Sequence, residues 1–194
     1  IAVTDHGNMF GVKEFFNYMQ KKNGARKDKI KSLKSLIEKL ETGNATPAEM
    51  GDDAQASLAK ARAELDALPK ADFKGIIGCE VYVSRRRMED RVHGIDNDAY
   101  HLVLLCKDRQ GYENLCLLVS EAFERGFYGK PRVDLEVLAK HYDGLIALSA
   151  CLAGAIPQYL LEEDYEQAKA YALNMAEIFG PDNFYLELQD HGID

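Results

Sequence analysis

The amino-acid sequence predicts an α/β fold, either an α/β barrel or part of one. Short β-rich runs bounded by Gly, Asp or Asn alternate with amphipathic stretches of helical period, and this alternation is typical of repeated strand–helix units. Residues 101–106 and 145–148 are almost continuously apolar, as expected for strands that are buried on both faces. With 194 residues and 46% hydrophobic content, the chain is long enough for one domain with its own core.

Five strands are predicted, at residues 1–4, 76–84, 101–106, 145–149 and 184–188. Two of the intervening helices are predicted at residues 108–125 and 164–179, where apolar side chains recur with a helical spacing. Residues 85–99 are charged and lack a helical period, so they form either a long irregular crossover or a hairpin arm. The sequence leaves both alternatives open.

Residues 24–71 interrupt this alternation with two helical stretches. The stretches are residues 28–40 and 48–68. Before the second stretch, Thr46 and Glu49 form a capping-box pattern around Pro47, which is a strong signal for a helix start. The two stretches together predict a helical hairpin inserted within the domain. Residues 26–39 carry six basic and two acidic side chains without interleaved aromatic residues, so we interpret them as a solvated helix face rather than a nucleic-acid interface.

Charge and composition exclude several classes of function. The 24 basic and 32 acidic side chains give a net charge of -8, so any contact with nucleic acid has to be local or mediated by metal. A mean hydropathy of -0.32, without an apolar run of about 18 residues, argues against a membrane span. The four cysteines form no Cys-x-x-Cys pair, which argues against a zinc ribbon or a disulfide framework and favours a reducing cytoplasm. Nucleotide-cofactor motifs are absent from the sequence.

Five candidate residues lie in or beside four different predicted strands. Asp5 and His6 follow the first strand, where α/β folds place ligand-binding loops, although an ordinary turn is the alternative. Glu80 interrupts an apolar run, so its carboxylate is either paired, protonated, bound to a cation or on a half-exposed strand face. His101 begins the third strand and Cys151 follows the fourth, and each alone is explained by a structural role. Together, nitrogen, oxygen and sulfur donors converging at one rim predict a metal site.

Six segments in the same order resemble a known family. They are AVTDHGNMFG at 2–11, IGCEVYV at 77–83, YHLVLL at 100–105, GYENL at 111–115, LSACL at 148–152 and FYLELQ at 184–189. These segments resemble the PHP (polymerase and histidinol phosphatase) domain of bacterial DNA polymerase III alpha subunits. The resemblance covers the chain apart from residues 24–71, which we interpret as a lineage-specific insertion.

The resemblance implies a distorted (β/α)7 barrel whose rim holds up to three divalent ions, Zn, Mn or Mg. The family's metal-ligand positions fall on His6, Glu80, His101 and Cys151. Asp5, His6 and Glu80 are the expected catalytic residues, with Asp5 in a supporting role. The family's His-x-His motif precedes residue 1 and its Asp-x-His motif follows residue 194, so the expectation is a partial domain without its first and last strands. The absence of an initiator Met agrees with a piece of a longer protein.

The resemblance also implies a function. The expected parent is a DNA-directed DNA polymerase that acts in replication in the cytoplasm, with DNA and other replicative polymerase subunits as partners. The domain itself is expected to carry part of a metal-dependent phosphoesterase site of the 3′–5′ exonuclease type. One alternative is a non-catalytic, metal-stabilised scaffold that binds partners. The other is a free-standing PHP phosphoesterase.

Overall fold

The computed structural model describes residues 1–190 and 192, which form two compact units. Residues 1–12 and those from 76 onward form the first unit, and residues 13–75 form the second. The expected insertion at residues 24–71 lies within the second unit. Whether that segment is a lineage-specific insertion stays a prediction.

A six-stranded mixed sheet forms the centre of the first unit. Its strands are β1 (Ala2–His6), β2 (Ile76–Ser84), β3 (Ala99–Cys106), β4 (Arg132–Val133), β5 (Leu145–Leu148) and β6 (Phe184–Tyr185). The strand order is β1-β2-β3-β5-β6, and β4 pairs with β2. Within the described part of the chain the sheet is open, which agrees with the predicted incomplete barrel.

The chain forms seven helices within the described residues. They are α1 (Val12–Thr42), α2 (Pro47–Met50), α3 (Ala54–Ala67), α4 (Arg109–Glu124), α5 (Leu135–Lys140), α6 (Ala155–Leu161) and α7 (Tyr165–Phe179). Asp108 and Asp164 cap α4 and α7 by accepting backbone N–H groups in the first turn, so both helices begin where the sequence predicts. None of these helices combines the length and apolar character needed to span a bilayer.

Strand direction brings several strand ends to one edge of the sheet. β1 and β2 are parallel, β2 and β3 are antiparallel, and β3 and β5 are antiparallel. The carboxyl ends of β1, β2 and β5 therefore lie at the edge where β3 begins. The core behind this edge packs the sheet against α4 and α7, and Leu104, Leu115, Leu118 and Met175 are fully buried in it.

Residues 85–98 connect β2 to β3, and the sequence left open whether this segment is a crossover or a hairpin arm. Because β2 and β3 are antiparallel neighbours, this segment is a hairpin arm and not a crossover. Arg132 is fully buried and donates to four backbone carbonyl groups, three of them in the arm. Asp96 accepts from Arg86 and from the backbone of Val92, which closes the arm on itself.

The second unit differs from the predicted hairpin in its helix bounds. α1 begins at Val12, well before the predicted start at residue 28, because no proline interrupts the helical stretch and Gly24 is tolerated inside it. The predicted helix 48–68 is divided at Gly51, whose positive φ ends α2, and Asp53 caps α3. The capping box of Thr46 and Glu49 is present as predicted.

Candidate metal centre

The four predicted ligands come from four different parts of the sheet edge. His6 is the last residue of β1 and is paired in register with Glu80 of β2. His101 lies near the start of β3, opposite Tyr82 of β2. Cys151 follows β5 after two residues, and the adjoining backbone is held at the edge because the His101 N–H donates to the Ala153 carbonyl. Strand direction therefore explains why Glu80 and Cys151, which are 71 positions apart in sequence, approach each other.

Three of these residues form a compact donor group, with Glu80, His101 and Cys151 ligand atoms all within 4.8 Å of one another. His101 Nδ1 lies 3.1 Å from Glu80 Oε1 and 3.7 Å from Cys151 Sγ. Bonds of about 2.0–2.3 Å at a tetrahedral angle place neighbouring donor atoms about 3.4–3.6 Å apart. These two separations lie on either side of this range and no separation in the group exceeds 4.8 Å, so the group is close to the size that a single divalent ion requires.

Burial makes the Glu80 carboxylate the central element of the group. Glu80 is 8% exposed, and its Oε1 atom contacts both His6 and His101. In the part of the chain that the structure describes, neither a lysine nor an arginine forms an ion pair with it. A buried carboxylate flanked only by imidazoles favours a cation at the same place, because an uncompensated charge there is costly.

His6 and Asp5 lie outside the three-donor group. His6 Nδ1 lies 2.7 Å from Glu80 Oε1, which is a hydrogen-bond length and shorter than the spacing of two ligands on one ion. Its side chain is 74% exposed, so the rest of the ring faces solvent. The Asp5 carboxylate accepts from the Gly11 N–H at 2.7 Å and so closes the loop after β1. Metal ligation by His6 and a catalytic role for Asp5 stay predictions.

The pKa shifts at the site have identifiable causes. Burial lowers the pKa of His101, the Lys130 charge lowers it further, and the Glu80 carboxylate opposes both. A lowered pKa keeps the imidazole neutral, which is the form that ligates metal. Burial, together with the Asp5 charge, raises the pKa of Cys79 to about 12, and its thiol contacts the Asp5 carbonyl. Cys79 therefore stays protonated although it adjoins Glu80 in sequence.

Two cavities border the three-donor group, and the cations that line the second were not identified from the sequence. The Glu187 carboxylate borders a cavity of about 340 Å³ that Cys151 also lines, and its Oε2 atom is buried without a hydrogen-bond partner among residues 1–190 and 192. A second cavity beside His101 is lined by Arg85 and Lys130. The position of Arg85 directly after a strand was visible in the sequence, but the approach of Lys130 depends on tertiary structure.

Comparison with known proteins identifies the family. The family model described as PHP domain matches residues 1–191. The chain is similar along its whole length to DNA polymerase III subunit alpha of Treponema pallidum (strain Nichols), at 48% identity, and of Thermus aquaticus, at 37% identity. It is also 33% identical along its whole length to DNA polymerase III subunit alpha of Deinococcus radiodurans. The chain spans 12% of the first two relatives and 11% of the third.

Proposed function

The chain belongs to the PHP domain family, in the form found in DNA polymerase III alpha subunits, and from this premise we propose that the Glu80–His101–Cys151 group is a divalent-metal site for phosphodiester hydrolysis. The observation that carries the proposal is the approach of Glu80, His101 and Cys151 within 4.8 Å. The whole protein is proposed to be a replicative DNA-directed DNA polymerase of the cytoplasm. Its proposed partners are DNA and the other polymerase subunits.

The donor set is compatible with the metals expected for the family. One carboxylate oxygen, one imidazole nitrogen and one thiol sulfur suit Zn, whereas Mn and Mg favour oxygen-rich surroundings. We therefore propose Zn at the Glu80–His101–Cys151 group, with Mn or Mg at the remaining positions of the domain. When bound, divalent ions supply Lewis-acid polarisation of a phosphoryl oxygen and lower the pKa of water.

His6, together with Glu80 and Asp5, offers a positioned group that can hold a metal or move a proton at this site. When His6 Nδ1 carries the proton it donates a hydrogen bond to Glu80 Oε1, and in a neutral ring the second nitrogen is then unprotonated and faces solvent. That nitrogen is available either for ligation or for taking a proton from an attacking water. Asp5 fixes the loop that follows His6 and so restricts the position of the imidazole.

A phosphodiester in a DNA strand is the proposed substrate class, with cleavage from the 3′ end. The net charge of -8 opposes a polyanion over long distances. Locally, bound divalent ions are the largest charges in a site and reverse the sign of the potential there. An acidic domain is therefore compatible with a nucleic-acid substrate at the rim.

A non-catalytic scaffold is the second candidate function. It is favoured by the origin of the three donors, because an ion bound by Glu80, His101 and Cys151 would join β2, β3 and the segment after β5. Metal bound by side chains from separate segments contributes directly to folding. The free-standing phosphoesterase alternative has less support, since the relatives that match the whole chain at 48% and 37% identity are polymerase subunits.

A degradation assay separates the two candidates. The full chain is incubated with a 5′-labelled single-stranded oligodeoxynucleotide and added Zn, Mn or Mg, and the products are resolved by length. Stepwise shortening from the 3′ end is expected for the wild type, and loss of that shortening for Glu80→Gln and Cys151→Ser. Cys106→Ser is the matched control, because Cys106 ends β3 at the opposite edge of the sheet. Bound metal without shortening supports the scaffold and contradicts hydrolysis.

A further inference from the structure

A positively charged cavity lies directly beside the candidate metal centre. It has a volume of about 240 Å³ and is lined by Arg85, Lys130 and His101, together with Asp98 and Gln158. Because β2 and β3 are antiparallel, the residues that follow β2 and precede β3 meet at the rim. The cavity therefore opens at the same edge of the sheet as the metal centre and shares His101 with it.

Aromatic rings hold the two cations of this cavity. Lys130 Nζ lies 4.6 Å from the centre of the Tyr82 ring, and the Arg85 guanidinium lies 4.9 Å from the centre of the Tyr100 ring. A cation–π contact fixes the position of a cation without cancelling its charge. Among the described residues, neither cation forms an ion pair. Both charges are therefore available to a bound anion, and together they outnumber the single carboxylate of Asp98.

Tyr82 connects this cavity to the metal centre. The Tyr82 ring packs edge-on against the His101 ring at a centroid distance of 5.2 Å, while Lys130 lies over the same tyrosine. Lys130 is close enough for its charge to act on His101. An anion held by Lys130 would thus lie next to a group bound at the Glu80–His101–Cys151 cluster, and not in an isolated surface patch.

We propose that Arg85 and Lys130 form a phosphate subsite that binds the backbone of a single-stranded nucleic acid next to the metal centre. The proposal rests on the proposed function, since it supplies the contact for the phosphate that neighbours the one at the metals. Two separate cations outside the three-donor group suit a substrate with more than one phosphate. In a chain with net charge -8, this cavity provides the local attraction that the overall charge lacks.

A binding measurement tests the subsite without depending on catalysis. The association constant of a 5′-fluorescein octathymidylate is measured by anisotropy on the full chain at several salt concentrations, with excess EDTA to prevent hydrolysis. The double variant Arg85→Gln/Lys130→Gln is expected to bind about tenfold more weakly at low salt. Its plot of log association constant against log salt is expected to be shallower by about 1.4, which corresponds to two lost phosphate contacts on a single strand.

Matched variants control for overall charge and folding. Arg109→Gln/Lys169→Gln removes the same charge from exposed positions on α4 and α7, and its binding and salt dependence are expected to equal those of the wild type. Arg85→Lys/Lys130→Arg keeps both charges and is expected to retain most of the binding. Circular dichroism in EDTA checks that each variant is folded.

Competition experiments identify the source of the phosphate. Unlabelled octathymidylate is expected to displace the probe at far lower concentration than thymidine 5′-monophosphate or inorganic phosphate. Equal displacement by the monophosphate would overturn the assignment to a strand. An unchanged salt dependence in Arg85→Gln/Lys130→Gln would overturn the subsite even if the wild type hydrolyses DNA. Absence of hydrolysis, with the expected loss of binding, would overturn the proposed function and leave the subsite in place.

Discussion

Replacement of Arg132 by methionine is expected to destabilise the chain by about 3–5 kcal/mol. The side chain is fully buried and donates hydrogen bonds of 2.8–3.1 Å to the carbonyl groups of Met88, Asp90, Asp96 and Gly126. Methionine fills similar space but donates to none of them. Met88 and Asp96 are themselves buried, so each carbonyl is left without a partner at a cost of about 1–3 kcal/mol. Loss of the buried positive charge near Asp96 adds to this.

Urea unfolding followed by circular dichroism measures the effect. Arg132→Lys keeps the charge with fewer donors and is expected to fall between the wild type and Arg132→Met. Arg109→Met removes an exposed arginine whose contact is the ion pair with Glu113, and is expected to change the free energy of unfolding by less than about 0.5 kcal/mol. A loss below about 1 kcal/mol for Arg132→Met, with an unchanged urea dependence, would show that the hairpin arm does not rely on this side chain.

Two further predictions concern packing and pH. Gly78→Ala is expected to destabilise the chain by about 2 kcal/mol or more, because a Cβ atom there would collide with the Leu104 carbonyl oxygen inside the sheet. In Gly24→Ala the added Cβ atom in α1 meets nothing within 4 Å, so this variant is expected to be more stable by about 0.5–1 kcal/mol. Thermal unfolding measures both variants, and equal effects would refute the packing argument. Burial raises the pKa of Cys79 and Cys106 from 9.0 to about 12, so the stability that they contribute is present below pH 9 and lost as the pH rises toward 12. Urea unfolding is expected to give a lower free energy of unfolding at pH 10 than at pH 8 for the wild type. For Cys79→Ala/Cys106→Ala the difference between the two pH values is expected to be smaller, and a larger difference would contradict the role of the two thiols.

Apolar patterning was sufficient to predict most of the sheet. Residues 76–84 and 101–106 were predicted as strands because long runs of β-branched and apolar residues have few other stable arrangements. β4 was missed, since two residues are too few to show a pattern. β6 ends at Tyr185, short of the predicted residue 188, because alternation in the sequence does not show whether a neighbouring strand is present to pair with.

Apolar patterning also indicated the residues of the three-donor group. Glu80, His101 and Cys151 each interrupt or border an apolar strand, where a polar group needs a partner, and the structure brings all three together. Cys151 was distinguished from Cys79 because it follows a predicted strand, but the burial and hydrogen bonding of Cys79 depend on tertiary packing and were not visible in the sequence. The same limit applies to Lys130, which reaches the rim only after β4 pairs with β2.

Metal content of the full chain tests the central claim most directly. The chain is purified without chelator, equilibrated with Zn, Mn and Mg, desalted, and measured by inductively coupled plasma mass spectrometry. At least one ion per chain is expected for the wild type and for Cys106→Ser, with a marked loss for Glu80→Gln and Cys151→Ser. A folded wild-type chain that retains no metal, or full occupancy in both cluster variants, would contradict a metal centre at Glu80, His101 and Cys151.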